Sequence, residues 1–407
     1  MSDISKVAFL LKRQYGTTVA DVAMRDHPTQ TAITKKDGMS GPKASFYYSV
    51  KYANAQAIGT TFSTIQTNGA ATAGSSGVQF AASRMTMFGL ITLTGDAIAA
   101  CSGDGAMLDL ITMEGGGAIE EHGSALSHQM FRDGNGALGR RSSESSDVTT
   151  LLTNNDARNF KVGMVLQASA NASGSAPRTG SAPVLFVNED AGTIGLDTSA
   201  ITNYSDNDYL FRDTTTGANS EIVDGIASII PVTAPVYLTD SFRGVDRGVH
   251  PNLLSGSRVD DTSAPLEDNA GLVCAKIQDA TKVRNGFGVI CVNTIDFYNF
   301  TRRTGAKVEY AGGGDKATVG FAGIDLATPA GIMRVMPDPD CPKGTGYALD
   351  LSTWCWKTRY PWVHWIQDDG GKMSLRVYNG DSIEARTRSK GNLICEKPGS
   401  NGVFTMQ

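Results

Sequence analysis

From residue 45 the chain alternates. Phe46, Tyr48, Val50 and Tyr52 fall on one side of an extended segment, and Tyr47, Ser49 and Lys51 fall on the other. A period of two over this length predicts a strand with one aromatic face. A second strand-like run, GVQFAASRMTMFGLITLT, fills residues 77–94, and the small, turn-prone TNGAATAGSSG lies between the two. Together they predict a long hairpin loop over residues 45–97. Its apolar face needs a partner, because an isolated hairpin is marginal in water. Ahead of it, Ile4, Val7, Ala8, Leu11 and Tyr15 recur at helical spacing, followed by a polar segment with Pro28, Gly38, Gly41 and Pro42. Residues 1–44 thus read as an arm without a core of its own, ordered only along another surface.

The period becomes helical over residues 104–131. Met107, Ile111, Ala118, Ala125 and Gln129 lie on or near one face, which Leu110, Leu126 and Met130 widen. Gly115, Gly116 and Gly117 interrupt it. Each interior glycine costs about 1 kcal/mol relative to alanine, which predicts a bend there or a close crossing with another backbone. The turn-rich RDGNGALGRRSSESSD then closes the stretch 98–147. In residues 148–212 short apolar bursts are separated by Asn, Asp, Gly and Ser, the mark of an inserted all-β module, a barrel of five or six strands.

Residues 213–345 mix both periods. A helix is expected over 269–284 with Leu272, Val273, Ile277 and Ala280 facing inward, then a buried strand at 286–293 and a short helix after it. Residues 346–407 are strands and turns. They end in DSIEARTRSKGNLICEKPGSNG, where Glu384, Arg386, Arg388 and Lys390 share one strand face and Ile383, Ala385 and Thr387 the other. The fold class expected is α+β, and no repeat of solenoid or propeller period is visible.

Charge narrows the reading of that stripe. The formal net charge is −5, so the surface as a whole does not attract phosphate. A stripe carrying both signs suits cross-strand and inter-subunit ion pairs better than a phosphate track. The six cysteines are scattered without a CxxC pair, which predicts free thiols in a reducing compartment rather than a disulfide framework. The amino-terminal run MSDISKVAFLLKRQYG lacks the apolar core of a signal peptide. No apolar run approaches the roughly 20 residues of a membrane span. A soluble chain, made in the cytoplasm, is the expectation.

Catalytic grammar is thin. GNGALG at 134–139 matches a dinucleotide fingerprint by letter, but it follows a helix and runs into a serine-rich loop. GGGDKAT at 312–318 lacks the spacing of a phosphate loop and reads as a hairpin tip. His122 and His128 are six positions apart, not on one helix face as paired metal ligands would be, and read as surface or interface residues. The acidic runs at 259–261 and 337–340 read as surface turns. No enzyme, cofactor or metal site is expected. Hairpin, arm and missing chemistry together suggest a chain completed by its neighbours.

At the carboxy-terminal end the residues become recognisable. GYALDLSTWCW (346–356), a strand near 373–378 and IEARTRSKGNLICEKPGSNGV (383–403) resemble the closing segment of tailed-bacteriophage major capsid proteins. SFRGVDRGVHPNLLSGSRVDD (241–261) resembles the segment leading into the axial domain of those proteins. The resemblance implies a Hong Kong 97-type (Johnson) fold. Its parts would be an arm (1–44), an extended hairpin loop (45–97), a spine helix with the start of the peripheral domain (98–147), an inserted β domain (148–212), an axial domain (213–345) and a return to the peripheral sheet (346–407).

It further implies hexamers and pentamers closing into an icosahedral virion head around double-stranded DNA, assembled in the host cytoplasm. Portal and scaffolding proteins would be partners, with a decoration protein as a further candidate. DNA would be contacted weakly, and no membrane is involved. Inter-subunit contacts would fall to Phe46, Tyr48, Val50 and Tyr52 and to Glu384, Arg386 and Arg388. The alternative within this fold is an encapsulin nanocompartment shell. Outside it stands a soluble enzyme or surface-binding protein.

Overall fold

The computed structural model describes residues 27–37, 45–69, 74–96, 110–145, 147–212, 223–282, 288–304, 324–359, 363–367, 374–377 and 380–407. The helix expected over 4–15 and the hairpin tip expected at 312–318 lie outside them. The chain forms two compact units, one from parts of 1–46, 82–127 and 355–394 and one from 47–81, 128–354 and 395–407.

The first unit is organised by the 14-residue strand Ser382–Cys395. Met85–Thr94 runs antiparallel along it in unbroken register, from Ser382 opposite Thr94 to Gly391 opposite Met85. The short strands Ser374–Arg376 and His364–Trp365 pair with its other edge. Trp354–Thr358 also neighbours it, and Thr34–Asp37 lies parallel to Trp354–Thr358. The run 77–94, expected as one hairpin arm, is therefore two strands parted at Arg84. Ser76–Ser83 pairs with Ser45–Ala53 in a two-stranded ribbon, and Met85–Thr94 leaves for the larger sheet. There a long partner satisfies its backbone along the whole length. The ribbon's connection carries a helix, Phe62–Asn68, where only a loop was expected.

Helix Leu110–Met130 is continuous through the glycine triplet, where a bend or a backbone crossing was expected. What comes close is an aromatic ring. A Cβ on Gly115 would stand 3.5 Å from the Trp365 indole, and Gly116 and Gly117 have open space beside them.

In the second unit six strands close into a barrel: Gly139–Ser145, Val148–Leu151, Val165–Ser169, Ala182–Asn188, Thr193–Leu196 and Tyr209–Arg212. The barrel begins nine residues earlier than position 148, with a segment whose polar letters suggested a turn. It is a strand because closure needs its hydrogen bonds and because its inward arginine is neutralised. Arg141 pairs with Asp206 at 3.1 Å, and its guanidinium stacks 4.1 Å from the centre of the Tyr204 ring. Leu151, Phe160, Leu166, Val184, Ile194, Leu196 and Leu210 fill the interior, each large apolar side chain contributing about 1.5–3 kcal/mol on burial.

The same unit holds a six-stranded mixed sheet ordered Ser257–Val259, Gly402–Thr405, Thr345–Leu349, Val289–Val292, Gly331–Pro337 and Ile324–Thr328. Helix Leu266–Thr281 buries Ala270, Val273, Cys274 and Ile277 against it. Leu272, expected inward, is exposed, since the helical period turns it away from Val273 and Ile277. Thr345–Leu349 and Gly402–Thr405, both within the expected return of residues 346–407 or at its edge, belong to this sheet, whereas Trp354–Thr358 and Ser382–Cys395 belong to the other six-stranded sheet. Asp338, expected on a surface turn, is fully buried, with Oδ1 accepting the Asp340 amide at 2.9 Å.

Candidate interaction surface

Strand register decides which side chains share a face, because directly opposed residues of an antiparallel pair point the same way. Thr387 stands opposite Gly89, and Ser389 opposite Met87. This face of the first unit's sheet is covered by helix Leu110–Met130, whose His122 places Nδ1 3.0 Å from the Thr387 hydroxyl and Nε2 3.0 Å from that of Ser389. Gly89 is required beneath them, since a Cβ there would overlap the Thr387 hydroxyl. His122 and His128, expected as surface or interface residues, are both buried; His122 meets the strand through its two ring nitrogens, and His128 Nε2 accepts from Arg132 Nε at 3.2 Å.

The other face is open. Glu384 stands opposite Thr92, Arg386 opposite Leu90, Arg388 opposite Phe88 and also His364, and Lys390 opposite Thr86. Phe88 is 65% and Leu90 63% exposed, two large apolar groups beside a charged stripe. Arg386 Nε donates to Glu384 at 2.6 Å, and this bond raises the arginine's pKa. Arg388 Nη2 lies 3.2 Å from His364 Nε2. Burial, and then the charges of Arg388, Arg84 and Arg359, push the Lys390 ammonium below its ordinary pKa. The face is thus apolar along one strand, ion-paired at one end of the next and cationic at the other. Such a surface suits a partner that covers Phe88 and Leu90 and meets the charges at the rim.

The strand Ser45–Ala53 behaves differently. Tyr48 and Val50 are buried within the chain. The Tyr48 ring stacks on Phe80 with centroids 5.2 Å apart, and its hydroxyl accepts from Arg243 Nη1 at 3.1 Å. Burial raises the Tyr48 pKa, with Arg243 opposing. Phe46 and Tyr52 are half-buried, and the Lys357 ammonium lies 4.7 Å from the Phe46 ring centre. The aromatic face is therefore largely taken up inside the chain, leaving Tyr47, Ser49 and Lys51 outward. Of the seven residues singled out in the sequence, Glu384, Arg386 and Arg388 come together on one open surface. Phe88 and Leu90 complete it. Their signal was the alternation in MTMFGLITLT, which assigns no face until its partner strand is known.

Among the described residues, no cluster of His, Cys, Asp and Glu is suited to hold a metal ion, and no helix is long and apolar enough to cross a membrane. The five described cysteines are buried thiols, not disulfides. GNGALG joins a helix to a barrel strand, the reverse of the order a dinucleotide fingerprint needs.

No family model matches the chain, and no curated protein matches it in sequence. Solved structures do match it in fold. A chain of the cyanophage A-1(L) capsid asymmetric unit superposes with a TM-score of 0.60 at 12% identity, covering 98% of this chain and 97% of that one. A chain from the capsid of the native GTA particle matches at TM-score 0.48 and 9% identity over 100% and 99% of the two chains. The holo-SrpI encapsulin complex of Synechococcus elongatus PCC 7942 matches at 0.46 and 7% over 100% and 95%. At 12% identity the first likeness defines the fold: this chain has the fold of a phage capsid chain from end to end.

Proposed function

We propose that this chain is the major capsid protein of a tailed phage with a Hong Kong 97-type fold. It assembles with copies of itself, as hexamers and pentamers, into an icosahedral head around double-stranded DNA. The observation that carries the reading is the fold match over 98% of this chain and 97% of the cyanophage capsid chain, which leaves almost nothing of either unaccounted for. The open sheet face adds to it. Phe88 and Leu90 beside Glu384, Arg386 and Arg388 form a surface that a closed shell would cover with a neighbouring copy. The exposed Ile58 and Phe62 in the ribbon connection are further apolar groups for such contacts.

A net charge of −5 fits a shell that releases its DNA. Scaffolding and portal proteins would guide closure in the host cytoplasm, and a decoration protein would add to the finished head. The chain would perform no catalysis. Sedimentation of the purified protein tests the reading: the expected outcome is a fast, homogeneous particle species in place of a 43.0 kDa monomer. Particles from infected cells should hold double-stranded DNA. Particles of one small size holding a protein cargo would instead mark an encapsulin, and a monomer that turns over a substrate would mark an enzyme.

A further inference from the structure

Residues 236–238 place three apolar side chains in a row into solvent. Tyr237 is 60% and Leu238 77% exposed, and Val236 stands out with them. Leu238 adopts φ +64°, a left-handed conformation that bulky side chains rarely take. Such strain persists only where the surroundings over-determine it. Here a single carboxylate ties the loop at two points: Asp246 Oδ2 accepts the Leu238 amide and Oδ1 the Gly248 amide, each at 2.8 Å. Gly248 lies so close to the Tyr237 backbone that no Cβ fits between them. The Asp240 amide donates to the Val236 carbonyl at 3.1 Å, and Asp240 pairs with Arg247 at 3.1 Å. The apolar tip is thereby held in one fixed form.

At the foot of this loop Ala234 walls a cleft of about 650 Å³, together with His250, Pro251, Arg258, Lys276 and Ala280. Both cations are fixed in place. Lys276 Nζ donates to the Arg258 carbonyl at 2.9 Å, and Arg258 Nη2 donates to the Gly256 carbonyl at 2.9 Å. The lining also holds the carboxylate of Asp279. Small apolar walls, anchored cations and one carboxylate suit a tyrosine, whose ring gains burial and cation–π attraction and whose hydroxyl can donate to the carboxylate.

We propose that Tyr237 of one copy seats in this cleft of the next, so that loop and cleft make a head-to-tail contact between copies of this chain. The contact rests on the shell-subunit reading above. Rotation about an axis moves a point by a distance proportional to its radius. A knob and a cleft that adjoin on one copy therefore meet on neighbouring copies only close to the axis. The loop accordingly lies where copies converge on a local symmetry axis.

Co-assembly of two differently tagged variants, Tyr237→Cys and Ala280→Cys, tests this directly. On oxidation, particles should yield a disulfide-linked dimer carrying both tags that is lost on reduction. Unassembled subunits should yield none. Both variants carry Cys101→Ser as well, since that thiol lies outside the described residues, and burial of the other five keeps the background low. Particles that form but give no two-tag dimer, or only dimers of a single variant, overturn the contact and leave the shell reading standing. An unmodified chain that forms no particles takes both down.

Discussion

His122 and Thr387 are 265 positions apart in the chain and 3.0 Å apart in space, and both are buried. With Ser389 on the second ring nitrogen, the imidazole is satisfied at both ends and fastens the long helix to the long strand. Replacing it, as His122→Ala, strands two buried hydroxyls and opens a cavity. Each unmade buried bond costs about 1–3 kcal/mol, so a loss of roughly 2–6 kcal/mol is expected. Urea unfolding of the unassembled subunit would measure it. A change below about 0.5 kcal/mol, the range of ordinary surface substitutions, would show that the contact is not structural.

The open sheet face predicts the opposite separation of effects. Phe88→Glu with Leu90→Glu alters two exposed side chains opposite Arg388 and Arg386. The subunit's unfolding midpoint should therefore stay nearly unchanged. Assembly should fail, because two carboxylates would be carried into a surface that copies must cover. Sedimentation velocity alongside circular dichroism reads both quantities. Particles of normal yield would show that this face stays open in the shell.

Gly116 and Gly117 sit in a continuous helix with open space where a Cβ would stand. Gly116→Ala and Gly117→Ala should each stabilise the subunit by about 1 kcal/mol. In assembly the same change should narrow the range of particle sizes, because a stiffer helix adapts less to differing local curvature. Thermal melts and electron micrographs of one preparation give both results. Higher stability with unaltered particles would leave the triplet no role in curvature.

Alkaline pH offers a test inside the barrel. Burial pushes the Tyr204 phenol up to about 12, against the opposing hydrogen bond to Thr149 and the charge of Arg141. The native state then keeps its proton after the unfolded chain has lost it. Stability from this group is constant below pH 10 and falls as pH rises from 10 toward about 12. The loss is about 3 kcal/mol at 1.36 kcal/mol per unit. Tyr204→Phe should flatten that part of the stability–pH curve relative to the unmodified chain, and an unchanged slope would refute the assignment.

Local period made much of this fold legible. The strand Ser45–Ala53, the inserted barrel, the helix Leu110–Met130 and the two-faced strand Ser382–Cys395 each follow from spacing that a short window reveals. What escaped was set by distant partners. Nothing near Arg84 shows that one strand ends and another begins, because the partner of Met85–Thr94 lies some three hundred residues away. The polar run at Arg140 and Arg141 reads as a turn until Asp206 and Tyr204 are placed beside it. The aromatic face of Tyr48 pointed to an outside partner, yet Phe80 and Arg243 fill that role within the chain. On the candidate surface the charged stripe was visible, whereas Phe88 and Leu90 gained a face only from their register.

Electron microscopy of the protein expressed at high level tests the central claim most directly. The account predicts closed icosahedral shells whose subunit density follows this fold, with the Phe88–Arg388 face covered by an adjacent copy. A protein that remains monomeric at high concentration, or shells in which this face is bare, would contradict it.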